Sequence, residues 1–235
     1  PHQGRQTPHA RLGDAPQRPL GGLVATLVEG GRLELSRGAL GESAGSVKLP
    51  EGCCSVALSE RGERIVVGDR FGTIRYFDAS GKTKNTVQIE HPADLLGVAA
   101  SGEAVIAASN SGHVTVLNAK HKPERTSYVR AELTRAWMDA RGERGFVLSA
   151  GEGVMVHSLR TTSMVTIGLD RPVADADSSA LGDQVVVLAH DGSVAEIAVE
   201  RGRLLGDDQH DLASGASGAS IDRRRRRLVG WRAGR

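Results

Sequence analysis

Several short stretches of the chain combine residue types that could do chemistry. Gly41-Glu42-Ser43-Ala44-Gly45 has the G-x-S-x-G spacing of a nucleophile elbow, where a strand-to-helix turn lifts a serine above a parallel sheet. No helical pattern follows it, so it reads as a glycine-rich loop. Ser80-Gly81-Lys82-Thr83 ends like a phosphate-binding loop, but Tyr76 stands where the loop's first glycine belongs, and it reads as a hairpin turn. Cys53 and Cys54 are adjacent, with no further Cys or His at ligand spacing, and read as buried free thiols. The eight histidines form no H-E-x-x-H or H-x-H group. Five consecutive arginines, Arg223, Arg224, Arg225, Arg226 and Arg227, are the densest charge in the chain; in isolation such a run suggests an anionic partner.

Composition narrows these options. The chain has 235 residues, 39% hydrophobic and 25% charged, which suits one medium domain or one repeat array with a buried core. No apolar run approaches the length of a membrane span, and the formal net charge of +2 does not by itself call for nucleic acid. Two adjacent cysteines cannot build a disulfide framework, which favours a reducing, cytoplasmic setting. Only Lys48, Lys82, Lys84, Lys120 and Lys122 of the 30 basic residues are lysines, an arginine excess that reads as bacterial genome composition.

The elements that must position these residues follow a period. Gly62-Glu63, Gly102-Glu103, Gly142-Glu143 and Gly182-Asp183 recur every 40 residues. One step back lands beside Gly21 and Gly22 and one step on lands on Asp222, and a second ladder follows about ten residues behind each of these six: Gly31, Gly72, Gly112, Gly153, Gly192 and Gly234. Between the ladders lie β-branched runs such as Arg64-Ile65-Val66-Val67 and Gln184-Val185-Val186-Val187-Leu188. Alternating runs such as Thr73–Phe77 and His113–Leu117 come after the second. Each unit reads strand, tight turn, strand, tight turn, strand, loop, strand, with glycine supplying the positive φ of the turns. A four-stranded antiparallel unit repeated every 40 residues predicts an all-β fold, a β-propeller of about six to seven blades.

Asp69-Arg70-Phe71-Gly72-Thr73-Ile74-Arg75-Tyr76-Phe77-Asp78, followed by Ser80-Gly81-Lys82, resembles the third strand of a WD40 repeat. Phe77-Asp78 stands in place of the usual Trp-Asp, and Leu117-Asn118 is a weaker copy. The repeats are degenerate: the other blades lack the dipeptide, and no Gly-His pair opens a blade. The resemblance covers residues 19–235, with 1–18 read as a flexible Pro-, Arg- and Gln-rich tail or linker. A seven-bladed ring would need roughly 40 to 60 further residues, so the propeller is expected to be incomplete in this chain. What the resemblance implies is the scaffolding of protein complexes; taken with the arginine excess, the expectation is a non-enzymatic platform for other protein subunits within a larger bacterial assembly, with no cofactor.

The repeat also sorts loops onto two faces. Loops entering each innermost strand share a face with the second tight turns, gathering Glu90, His91, Glu132, Asp170, Arg171, His190, Asp191, His210 and Asp211. These are the candidate partner-contacting residues, with a solvated polar rim as the plainer reading. The alternative use of the same ring is a metal, small-ligand or acid–base site in the central channel, with His91, His190 and His210 foremost. The opposite face collects Lys82, Lys84, Lys120, Lys122, Arg125, Arg160, Arg201, Arg203 and the run Arg223–Arg227. That basic face makes polyanion binding a further alternative, against a merely solvated charged surface. Aromatics for base stacking are scarce, which disfavours single-stranded nucleic acid.

Overall fold

The computed structural model describes residues 22–28, 31–37, 41–149, 153–158, 164–167, 172–199, 203–206, 218–222 and 227–231. Among these residues every sheet is antiparallel and pairs strands in chain order, and there is no α-helix. The first sheet holds β1 (Leu23–Val28), β2 (Arg32–Arg37) and β3 (Glu42–Lys48). The second holds β4 (Cys53–Leu58), β5 (Arg64–Asp69), β6 (Thr73–Asp78) and β7 (Thr83–Gln88). The third follows as β8 (Leu95–Val98), β9 (Val105–Ala108), β10 (His113–Leu117) and β11 (Pro123–Tyr128). The fourth is β12 (Leu133–Met138), β13 (Arg144–Ser149), β14 (Gly153–Ser158) and β15 (Met164–Ile167). The fifth is β16 (Val173–Ser178), β17 (Gln184–Ala189), β18 (Val194–Ala198) and β19 (Arg203–Gly206), and β20 (Gly218–Asp222) pairs with β21 (Arg227–Trp231) in a sixth.

The four-stranded sheets are the predicted blades, and their turns repeat atom for atom. Gly62, Gly102, Gly142 and Gly182 take φ of +68°, +78°, +72° and +66°, a region open to glycine at no steric cost. Their amides donate to the carbonyls of Ser59, Ala99, Asp139 and Ser179. Neighbouring blades are tied through the same turns, Ala100 N donating to Ala140 O (3.1 Å) and Ala140 N to Ala180 O (2.9 Å).

Successive blades pack face to face, so each central strand is apolar on both sides. Leu33 and Leu35 of the first sheet meet Ile65, Val67 and Phe77 of the second. Val66, Ile74 and Tyr76 on the second's other side meet Val105, Ala107 and Leu117. Ile106 and Val114 then meet Met138, Val147 and Met155, and Trp137 and Phe146 meet Val185, Val187 and Ile197. Trp137 stacks on Phe146 with ring centroids 5.2 Å apart, and its Nε1 donates to Ser178 Oγ (3.0 Å) in the next blade.

Two local expectations change. Gly41 does occupy a turn, but Glu42–Gly45 belong to β3, the outer edge of the first sheet, and are exposed. A strand facing water on both sides carries no apolar alternation, so its serines and glycines read as loop. Cys53 and Cys54 are free, as expected, but half-buried rather than buried. The register of the innermost strand shifts between Cys53 and Ser55, so Cys54 is an extra, bulged residue.

The blade repeat also exposes a local misfit. Ser59 and Ser179 use their hydroxyls to accept from Arg64 N and Gln184 N across the first tight turn. Asp139 takes that place in the fourth blade: Oδ1 accepts from Glu143 N and Arg144 N, while buried Oδ2 has no partner. Burial pushes the Asp139 carboxyl above its ordinary value. An acid with a raised folded-state pKa destabilises the fold fully above that pKa, and the penalty vanishes below the unfolded value. Asp139→Ser is therefore expected to stabilise by about 1 kcal/mol at neutral pH, a gain that fades as pH falls through the carboxylate range. Urea unfolding at pH 7 and pH 3 checks this; an equal effect at both would refute it.

Candidate interaction surface

The loops entering the innermost strands and the second tight turns do lie on one face, stitched together by backbone hydrogen bonds. Arg70 N donates to Gly52 O (2.9 Å), Ala93 N to Asp69 O (3.0 Å), Leu133 N to Asn110 O (3.1 Å) and His190 N to Pro172 O (3.1 Å). Each turn is thus clamped by a loop. The turn at Asp69 is further braced by its carboxylate, which accepts from Phe71 N, Thr73 N and Arg75 Nη1 (2.8 Å). Those bonds hold the Asp69 pKa below its ordinary value against the opposing effect of burial.

The candidate residues on this face fall into three groups. Glu90, Glu132, His190 and Asp191 are exposed. Asp191 Oδ1 accepts from Ser193 N (2.8 Å), capping its own turn. His91 is buried at 5% exposure, stacked near His113 at 5.6 Å. Its Nδ1 donates to Pro92 O and its Nε2 accepts from Thr115 Oγ1, each at 2.8 Å. Thr126 Oγ1 lies 3.0 Å from Thr115 Oγ1 and completes the chain. Burial lowers the His91 pKa, keeping the ring neutral with both nitrogens used. Asp170, Arg171, His210 and Asp211 lie outside the described residues. Among the described residues no three His, Cys, Asp or Glu side chains converge as a metal site.

The same face presents what the residue-type search passed over. Phe71 is 66% exposed in its turn and Tyr128 is 58% exposed at the end of β11. Tyr128 leans on His113, its cross-strand partner, at 4.8 Å between rings. In sequence Phe71 lies within the run that resembles a WD40 third strand and Tyr128 lies in no motif, and neither position announces exposure. Deeper in, two ion pairs were also missed. Arg75 pairs with Asp69, and Arg135 of β12 pairs with Asp175 of β16 (2.7 Å). The second pair was detectable in principle, because opposite charges one period apart sit at equal places in adjacent blades.

On the opposite face, Lys82, Lys120 and Lys122 are exposed, and Lys84 pairs with Asp78 (2.9 Å). Arg227 opens β21, and Arg223, Arg224, Arg225 and Arg226 lie outside the described residues.

The cysteines sit at the start of the innermost strand. Cys54 Sγ approaches Ala93 O (3.6 Å) and Asp94 Oδ1 (3.7 Å). Burial, reinforced by the Asp94 carboxylate, pushes its pKa up to about 12. A thiol that ionises so little offers scant thiolate, the form that attacks electrophiles. Iodoacetamide at pH 8 is expected to alkylate Cys54 at least about tenfold more slowly in the folded protein than after unfolding. Equal rates, read by peptide mass spectrometry, would contradict this placement.

No family model and no curated protein matches the chain. Among solved structures it is similar to the β-propeller domain of Cps50 (Swd1) from Myceliophteria thermophila, with a TM-score of 0.64 at 14% identity. The likeness covers 77% of this chain and 62% of that one. The fold is a β-propeller. The chain spans less than two thirds of that neighbour, and at this identity the likeness speaks for architecture alone. Among the described residues no helix is long and apolar enough to cross a membrane.

Proposed function

We propose that this propeller is a WD40-like, non-enzymatic scaffold that holds other protein subunits in a larger bacterial assembly. The observation that carries the reading is the pair Phe71 and Tyr128, large rings left in water on one rigid loop face. A chain with only seven aromatic residues that exposes two on the same face offers contact area at little entropic cost. Glu90, His190 and Asp191, exposed on that face, are taken as polar contacts for the same partner, and Asp170, Arg171, His210 and Asp211 are proposed as further ones. His91 fits the same reading from below: buried, with both nitrogens bonded, it braces the loop. The WD40 affinity draws on Phe77, 2% exposed in the blade interface, and on Asp78, which closes the next turn by accepting from Ser80 N and Lys82 N.

The test is affinity purification of the natively expressed protein beside a Phe71→Ala/Tyr128→Ala variant. Both substitutions are at exposed positions and are expected to keep the fold, which circular dichroism checks. A stoichiometric protein partner retained by the natural sequence and lost by the variant is the expected result. Absence of any stoichiometric partner, or equal capture by both, overturns the proposal.

A further inference from the structure

Lysine is rare in this chain, yet four of its five lysines, Lys82, Lys84, Lys120 and Lys122, fall in or beside two loops one period apart. The arginine excess gives no reason for that concentration. Both loops have the same closed form. Asp78 Oδ1 accepts from Ser80 N and Lys82 N, and Asn118 Oδ1 accepts from Lys120 N and Lys122 N. Backbone bonds from Asp78 N to Lys82 O and Asn118 N to Lys122 O, each 3.0 Å, lock them.

The two loops form one surface. His121, between Lys120 and Lys122, stands at φ +58°, where the second blade has Gly81 at +83°. Its ring stacks on Tyr76 of the preceding blade at 4.0 Å and 12°. Asn85, the neighbour of Lys84, donates its amide to His121 Nδ1. Histidine is among the few non-glycine residues met at positive φ, and here it docks the second lysine loop on β6 and β7, the strands that flank the first.

Two of the nearby carboxylates are already engaged, and a third, Glu103, lies near His121. Asp78 takes the Ser80 hydroxyl, Lys84 and the turn amides, which hold its pKa far below the usual range, and Glu124 accepts from Asn118 Nδ2. Among the described residues Lys82, Lys120 and Lys122 have no ion-pair partner.

We propose that this two-loop lysine patch docks an acidic, extended segment of a partner protein. The proposal rests on the scaffold reading and names a second contact on the face opposite Phe71 and Tyr128. Lysine ammonium groups gathered on rigid loops, three of the four without an ion-pair partner, select for a run of carboxylates. Nucleic acid fits less well, because the patch exposes no aromatic ring for stacking: Tyr76 is buried.

The probe is a fluorescein-labelled octaglutamate peptide, followed by anisotropy at low and at physiological salt. The protein is expected to bind it at low salt, with affinity falling as salt rises. The variant Lys82→Ser/Lys84→Ser/Lys120→Ser/Lys122→Ser should bind at least about tenfold more weakly. A charge-matched control on the other face, Arg32→Ser/Lys48→Ser/Arg70→Ser/Arg130→Ser, should stay within about twofold. No binding at low salt, or equal loss in the control, overturns the patch. So does tighter binding of an oligothymidylate of equal charge, which would make it a nucleic-acid site. If the peptide fails while affinity purification still yields a Phe71- and Tyr128-dependent partner, the scaffold stands and only the patch falls.

Discussion

Replacing Arg135 with alanine should destabilise the propeller by about 3 to 5 kcal/mol, the cost of stranding a buried partner charge. Arg135 and Asp175 have side chains only 15% and 12% exposed, so solvent screens the pair weakly. One guanidinium nitrogen serves both Asp175 Oδ1 (2.7 Å) and Ala176 O (2.6 Å). The cation also lies 5.3 Å from the Trp137 ring centroid, a further attraction lost with it. Three elements of the interface between the fourth and fifth blades therefore meet on one side chain. Removing both partners together, as Arg135→Met/Asp175→Leu, should recover most of the loss, because the desolvation cost goes with the charges. Urea unfolding followed by tryptophan fluorescence provides the readout. A single substitution costing under about 1 kcal/mol would place the pair with ordinary surface ion pairs.

The second large effect is expected at Gly97. This glycine lies in β8, where the innermost strands of the third and fourth blades run past each other at backbone distance. A Cβ there would sit 2.7 Å from Trp137 N and 2.6 Å from its carbonyl carbon. Neither atom can swing aside as a side-chain tip could. Gly97→Ala should therefore cost about 3 kcal/mol, the upper end for overpacking. In an open strand the same change would gain a few tenths by stiffening the unfolded chain, so the sign alone decides. The strain falls on Trp137, so a shift of its emission should accompany the loss. A neutral or stabilising Gly97→Ala would mean the blades are not this close.

Both positions show where local patterns stop. Position 97 and Trp137 are one period apart, as are Arg135 and Asp175, so each pair occupies equal places in consecutive blades. The repeat told which residues correspond; it could not tell that one blade's backbone lies against the other's. His91 makes the same point on the loop face. In sequence it stands beside Glu90 as another polar loop residue, yet only Glu90 is exposed. The gap that buries the ring is walled by Thr115, which lies 24 residues onward.

What the sequence determined by itself was the period, the strands and the division of loops between two faces. These are local matters: a glycine that tolerates positive φ ends a run of β-branched residues, and a hairpin must follow. The tertiary structure decided which polar residues are spent inside and which remain for a partner. It also placed the bulges at Cys54, Thr134 and Ala174 and brought His121 onto Tyr76. Such contacts depend on the spacing and register of the neighbouring blade, about 40 residues away, and the pattern within a single strand carries no record of that neighbour.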